Sequence, residues 1–260
     1  MRATVLVLTA FVSAFAVHAQ TKSLKLNTAA GLTLHNATAA PVKFKGKSAI
    51  KLTISPEAAE KLAVPPPPPP AGESKKGGKK GAQKKGGAAP PPPAANRVDV
   101  LALVDGVEFG NGTIEVDLTG EPGPGAEGGA RGFVGVAFRV QPNRETYDCF
   151  YVRPTNGRAD EQERRNHSVQ YIQHPAFPWF KLRAETPSKY EAYADMMPAE
   201  WIHLKIDVDG EKAKIYVNKA TQPTLLVNDV KSGASGKGAV ALWIEGTTIA
   251  HYANLKITPR

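Results

Sequence analysis

A single cysteine, Cys149, stands in 260 residues, so no disulfide can close within the chain whatever compartment holds it. Beyond residue 20 no apolar run approaches the roughly 20 residues that span a bilayer, so no transmembrane segment is expected in the remainder. Long helical periodicity is missing as well: no segment keeps a period of 3.6 beyond two turns. The chain also lacks a phosphate-binding glycine loop ahead of a helix, a G-x-S-x-G nucleophile elbow, and the H-x-H, H-E-x-x-H or Cys/His spacings of transition-metal sites. Neither nucleotide hydrolysis nor a serine nucleophile has a signature here. No cofactor is called for; a calcium site made of aspartates and backbone oxygens needs no such spacing and stays open.

What is present begins with a short apolar run. Residues 1–19 have a basic Arg2, apolar residues from Val5 to Val17, and Val17-His18-Ala19, small where a signal peptidase reads. The expectation is a secretory signal cut after Ala19 and a secreted or periplasmic protein. The formal charge is +9, but residues 71–95 hold six lysines against Glu73, a net of +5, which leaves 9 − 5 = +4 for the rest. Specific nucleic-acid recognition is therefore not expected. The tract 65–96 contains PPPPPPAGESKKGGKKGAQKKGGAAPPPP, with no apolar residue larger than alanine in its centre, and its composition predicts disorder. It reads as a solvated spacer, or as an electrostatic contact to an anionic envelope polymer.

Residues 22–64 are too few, without a cysteine, to bury a core alone. Their strands, Gly31–His35 and the alternating Pro41–Ile54, are expected to join those of 97–260, which makes the tract a loop inserted into one domain. In 97–260, Thr113–Leu118 alternates, and His203–Val208, Asp209-Gly210 and Lys212–Val217 form a legible hairpin. Further strands are expected at Phe133–Val140, Thr146–Arg153, Ser168–His174, Thr224–Asn228, Ala239–Ile244 and Ala253–Thr258. A dozen short strands with glycine-rich turns predict an all-β, two-sheet antiparallel sandwich.

Several stretches taken in order carry a resemblance: VEFGNGTIEVDL (107–118), GFVGVAFRV (132–140), YDCFYVRP (147–154), EWIHLKIDVDGEKAKIYVN (200–218) and KGAVALWIEGTTIAHYANLKI (237–257). Together they resemble the concanavalin A-like lectin/glucanase superfamily, in its secreted bacterial branch of laminin G-like modules and 3-keto-disaccharide hydrolase domains. The resemblance implies a jelly-roll sandwich that meets sugars or glycosides on its concave sheet and rim loops. Glucanases of this fold carry E-x-D-x-E or E-x-D-x-x-E on one strand. Here Glu115-Val-Asp117 is followed by Thr119 and Gly120 where the last glutamate belongs, so the two-carboxylate pair is incomplete and Glu115 and Asp117 read as solvent-facing strand residues.

Residues 147–180 gather seven of the chain's nineteen aromatics, four arginines and two of six histidines. Alternation puts Val134, Val136, Phe138 and Val140 toward the core. It leaves Gly135, Ala137 and Arg139 on an open trough beside Tyr151 and Arg153. Sugars need a flat ring and directed donors. Tyr151, Tyr171 and Trp179 are the candidate rings. Arg139, Arg153, Asn156, Asp160, Arg165, Asn166, His167, Gln170 and His174 are the candidate polar contacts. The arginines also suit a uronate or sulfate. A 3-keto-glycoside hydrolase or lyase would need a base, for which His167, His174 and Asp160 are the candidates.

Overall fold

Alternation of aliphatic and polar residues at period two forces a strand to bury one face, and the longest such patterns pair at the centre of this molecule. A computed structural model describes residues 20–63, 98–124, 126 and 132–260; the expected signal segment and the Pro/Lys/Gly tract lie outside the described residues. The early strands are β1 (Lys22–Leu24), β2 (Leu32–His35), β3 (Ala37–Phe44) and β4 (Lys47–Ile54), followed by helix α1 (Pro56–Ala63). Then come β5 (Val100–Val104), β6 (Gly112–Pro122), β7 (Val134–Val140), β8 (Tyr147–Val152), α2 (Gln162–Asn166), β9 (Val169–His174), α3 (Trp179–Glu185) and β10 (Glu191–Ala192). The chain ends with β11 (Ile202–Asp209), β12 (Lys212–Val217), β13 (Leu225–Val227), β14 (Ala239–Ile244) and β15 (Thr248–Pro259).

Two antiparallel sheets result. The eight-stranded sheet runs β13-β12-β11-β6-β15-β4-β3, with β1 also on β15; the seven-stranded sheet runs β10-β9-β8-β7-β14-β5-β2. The strands before the tract are thus integral to both sheets: β4 pairs with β15 and β2 with β5. In the eight-stranded sheet Ile202, Leu204 and Ile206 stand opposite Leu118, Val116 and Ile114, and all six are buried. Each such side chain contributes about 1.5–3 kcal/mol on leaving water.

Val134 lies against Gly120 of the other sheet, so Val134, Val136 and Phe138 face the core, with Phe138 stacked on Phe150. The row Leu101–Trp243–Gly135–Tyr151–Gln170–Glu191, in direct register, therefore faces outward. Tyr252 crosses the core from β15. Its hydroxyl donates to the Trp243 carbonyl (2.6 Å), lies 2.9 Å from the Gly135 carbonyl and accepts from the Gly135 N–H (3.3 Å). Burial raises its pKa well above that of a free phenol.

Four expectations need correction. Pro41–Ile54 is not one strand but parts of two, β3 and β4, which meet at Lys45-Gly46; both residues have positive φ, 42° and 81°. The run Val100–Val104 is a strand that alternation missed, because Leu101 is buried on the outer face as fully as Val100 and Ala102 are in the core. The strand expected from Ala253 starts at Thr248. A bulge between Ala253 and Lys256, with Asn254 at φ 54°, shifts the phase of its pattern. Finally, α2 and α3 occupy segments that read as loops, each too short to display a period.

Candidate functional site

Arg153 is the hub of the seven-stranded sheet's outer face, and it is buried. One terminal nitrogen donates to the His167 carbonyl (2.8 Å) and toward Glu191 (3.5 Å); the other donates to the Tyr151 hydroxyl (2.9 Å) and Gln170 Oε1 (3.1 Å). Its guanidinium lies over the rings of Phe133, Tyr151 and Trp179, 5.0, 5.2 and 5.7 Å from their centroids. Glu191 also accepts from Arg183 and lies 2.9 Å from His167 Nδ1. Burial pushes the Glu191 pKa up, but the hydrogen bonds from His167 and Arg183 overcome it and hold the carboxyl at about 2. Arg153, Tyr151, Gln170, His167 and Trp179, all candidates from sequence, thus come together in a network that occupies Arg153 and Glu191.

Arg139 does not join them, a correction to the shared trough. It sits at φ 54° beside the register shift between β7 and β14, so the alternation that would turn it outward breaks there. Its guanidinium donates to the carbonyls of Gly110 (3.1 Å), Gly233 (2.9 Å) and Gly210 (2.9 Å) and to Ser232 Oγ (2.8 Å), tying three loops at one end of the sandwich. Nor does Gly135 open a trough: a Cβ there would meet the Phe150 carbonyl at 2.1 Å, so the glycine permits strand contact and not ligand room.

The other candidates scatter. Tyr171 points into the core, where its hydroxyl meets Asp148 (2.5 Å). Asn156 is buried in a 3-10 turn and donates to the His167 carbonyl (3.3 Å). Arg165 reaches the Tyr193 hydroxyl (2.8 Å), Asn166 accepts from Gln162 (2.7 Å), and Asp160 is exposed on the loop before α2. His174 stacks on Tyr147 with centroids 5.2 Å apart. His167 and His174 flank β9 at opposite ends, roughly 20 Å apart at a strand's rise, too far to act on one substrate atom.

An open recess of about 380 Å³ lies instead on the outer face of the eight-stranded sheet, between Trp201 and Asn254. Asp117, on β6, is its centre. Its Oδ2 accepts from Lys47 Nζ and Asn254 Nδ2 and its Oδ1 meets His203 Nδ1, each at 2.8 Å. Burial opposes the Asp117 charge, but the bonds from Lys47, Asn254 and His203 prevail and lower its pKa. His203 Nε2 faces Glu115 at 3.9 Å.

Trp201 supplies the ring. Lys47 lies 4.7 Å over it, Phe44 meets it edge-on at 6.0 Å, and Phe44 in turn stacks on His251 at 3.8 Å. Burial, with Lys51 adding to it, drops the His251 pKa to about 4, so the imidazole stacks in its neutral form. Among the described residues no group of three or more His, Cys, Asp and Glu side chains is arranged to hold a metal ion, and no helix is long and apolar enough to cross a membrane.

Sequence alone does not reveal this recess, because Glu115 and Asp117 read as solvent-facing strand residues of an incomplete glucanase pair. The usable signal was register. Matching Ile202, Leu204 and Ile206 to Leu118, Val116 and Ile114 puts His203 directly opposite Asp117 on the outward face.

No protein-family model and no curated protein matches this chain. Solved structures do. A Bacillus subtilis protein of unknown function with a galectin-like fold aligns over 94% of this chain and 99% of its own at a TM-score of 0.52, with 10% identity. The β-glucanase of Bacillus licheniformis aligns over 93% and 99% at a TM-score of 0.44 and 13% identity. The carbohydrate binding module CBM66 from Bacillus subtilis aligns over 61% and 81% at 0.41 and 18%. With two stacked antiparallel sheets and the alignment along nearly the whole chain, the fold is a galectin-like jelly-roll sandwich.

Proposed function

We propose that this chain is a secreted carbohydrate-binding protein whose ligand seat is the Trp201 recess. The observation that carries this reading is the pairing of an indole with directed polar groups in one open hollow: Asp117, His203, Asn254 and Lys47 beside Trp201. A pyranose offers a C–H face to the ring and hydroxyls to the amides, imidazole and ammonium. The recess is part-exposed, in contrast to the Arg153 network, so a ligand reaches it without breaking a buried ion pair. The names of the similar solved structures, a carbohydrate binding module and a glucanase among them, agree with this class of ligand.

A glycan array run with the wild type and Trp201→Ala tests the seat. Loss of an aromatic platform is expected to lower retention about tenfold, while the melting temperature stays near that of the wild type. Unchanged retention on a glycan that the wild type holds rejects the recess.

A catalytic reading of the same hollow rests on one feature. With Nδ1 on Asp117, His203 Nε2 is the acceptor nitrogen and faces open space beside Glu115. This fits a base for a 3-keto-glycoside hydrolase or lyase. Turnover of a 3-keto-disaccharide that disappears in His203→Ala favours it; no turnover by the wild type, with or without calcium, removes it. The lysines of 71–95 support a separate, electrostatic attachment to anionic envelope polymers.

A further inference from the structure

Fewer acceptors than donors stand free in the recess. Both Asp117 oxygens are engaged by groups of the protein itself, Oδ2 twice and Oδ1 once. Asn218 Oδ1 accepts the His203 N–H (3.3 Å), and one Asn218 amide hydrogen goes to the Asp195 carbonyl (3.2 Å). The donors are not exhausted. Lys47 and Asn254 each spend one N–H on Asp117 and keep the rest.

Lys219, which lines the recess, makes no ion pair among the described residues, whereas Lys45 is matched by Glu200. Among the lysines and carboxylates of the lining, Lys47 and Lys219 face Asp117, two ammonium groups against one carboxylate. The backbone holds Lys219 in place. Asn218 and Lys219 have φ of 53° and 60°, a left-handed pair that non-glycine residues seldom adopt, anchored by the bond from the Asn218 N–H to the His203 carbonyl (2.8 Å).

We infer that the Trp201 recess selects sugars bearing an anionic group, a carboxylate or a sulfate ester, with Lys219 as the residue that reads the charge. This rests on the recess being the glycan seat. A neutral sugar brings about as many hydroxyl donors as acceptors, and its donors find few free partners here. A uronate or sulfated sugar adds two or three acceptor oxygens where unspent N–H groups and an unmatched ammonium converge.

The test uses the full chain at physiological salt and follows the Trp201 indole N–H by NMR, which reads the recess itself. Trigalacturonic acid, its methyl ester and a 6-sulfated galactose disaccharide are titrated in turn. The acid or the sulfate should shift the indole signal, the ester should bind about tenfold more weakly, and Lys219→Gln should remove that preference while Lys219→Arg retains it. Whichever anion acts identifies the group. If the ester matches the acid, or Lys219→Gln leaves acid affinity unchanged, charge selection is overturned and the glycan seat survives. If no sugar, cellotriose included, moves the indole, both readings fall.

Discussion

Each sheet turns outward a matched set of side chains. Over the seven-stranded sheet these are Trp179, His167, Glu191 and Arg153; on the eight-stranded sheet they are Trp201, His203, Asp117 and Lys47. The first set is shut. Side-chain exposure is 4% for Arg153 and 3% for Glu191, against 35% for Lys47 and 14% for Asp117. The difference begins with the cation. A guanidinium presents five donors in one plane and, once stacked between rings, spends them on the carbonyls and carboxylate around it. An ammonium on a flexible stem bonds one carboxylate oxygen and keeps donors to spare. Similar composition thus yields a structural brace on one face and an open hollow on the other.

The comparison breaks most sharply in the brace. Glu191→Ala leaves Arg153 and Arg183 without their carboxylate in a buried setting and should cost about 3 kcal/mol or more in a denaturant titration. A loss within 1 kcal/mol would mean that the network is not what closes this face. Acid should act on the same group. Glu191 is depressed from 4.5 to about 2, so its contribution is present above pH 4.5 and lost as pH falls through 2. Stability should therefore drop by a few kcal/mol between about pH 5 and pH 2, and Glu191→Gln should flatten that slope.

At the recess the order of effects reverses. Asp117→Asn should lower stability by about 1 kcal/mol yet disperse Lys47, His203 and Asn254, and the loss of glycan retention should exceed that of Trp201→Ala. Retention equal to wild type would show that the hub does not organise the donors. The smallest change in stability is expected from replacing all six lysines of 71–95 by glutamine: melting within about 1 °C of wild type, with weaker, less salt-sensitive adhesion to anionic polymers. Adhesion unchanged by the replacement would remove the electrostatic role.

Periodicity made the sandwich legible, since Ile114, Val116 and Leu118 or Leu204, Ile206 and Val208 have only one way to leave water together. It also brought Tyr151 and Arg153 onto one face. It failed at Arg139, where a bulge resets the count of two, and at Leu101, where both sides of the strand are covered. The recess was beyond reach for another reason. Its residues come from β4, β6, β11, the turn after β12 and β15, and only the pairing of distant strands joins them. Composition draws the eye to dense local clusters such as 147–180, and dense clusters of opposite charge tend to consume themselves.

Arg139 has an outcome for how this architecture can change. One side chain fastens the segments around Gly110, Gly210 and Gly233, so lengthening any one of the three would drag the other two. That pole of the protein is frozen against drift. Trp201 and Asn218 lie at the opposite ends of β11 and β12 from Gly210, where the side-chain nitrogen of Trp201 donates to Lys45 and that of Asn218 to Asp195, each reaching one other segment. New specificities have more room to arise at that pole.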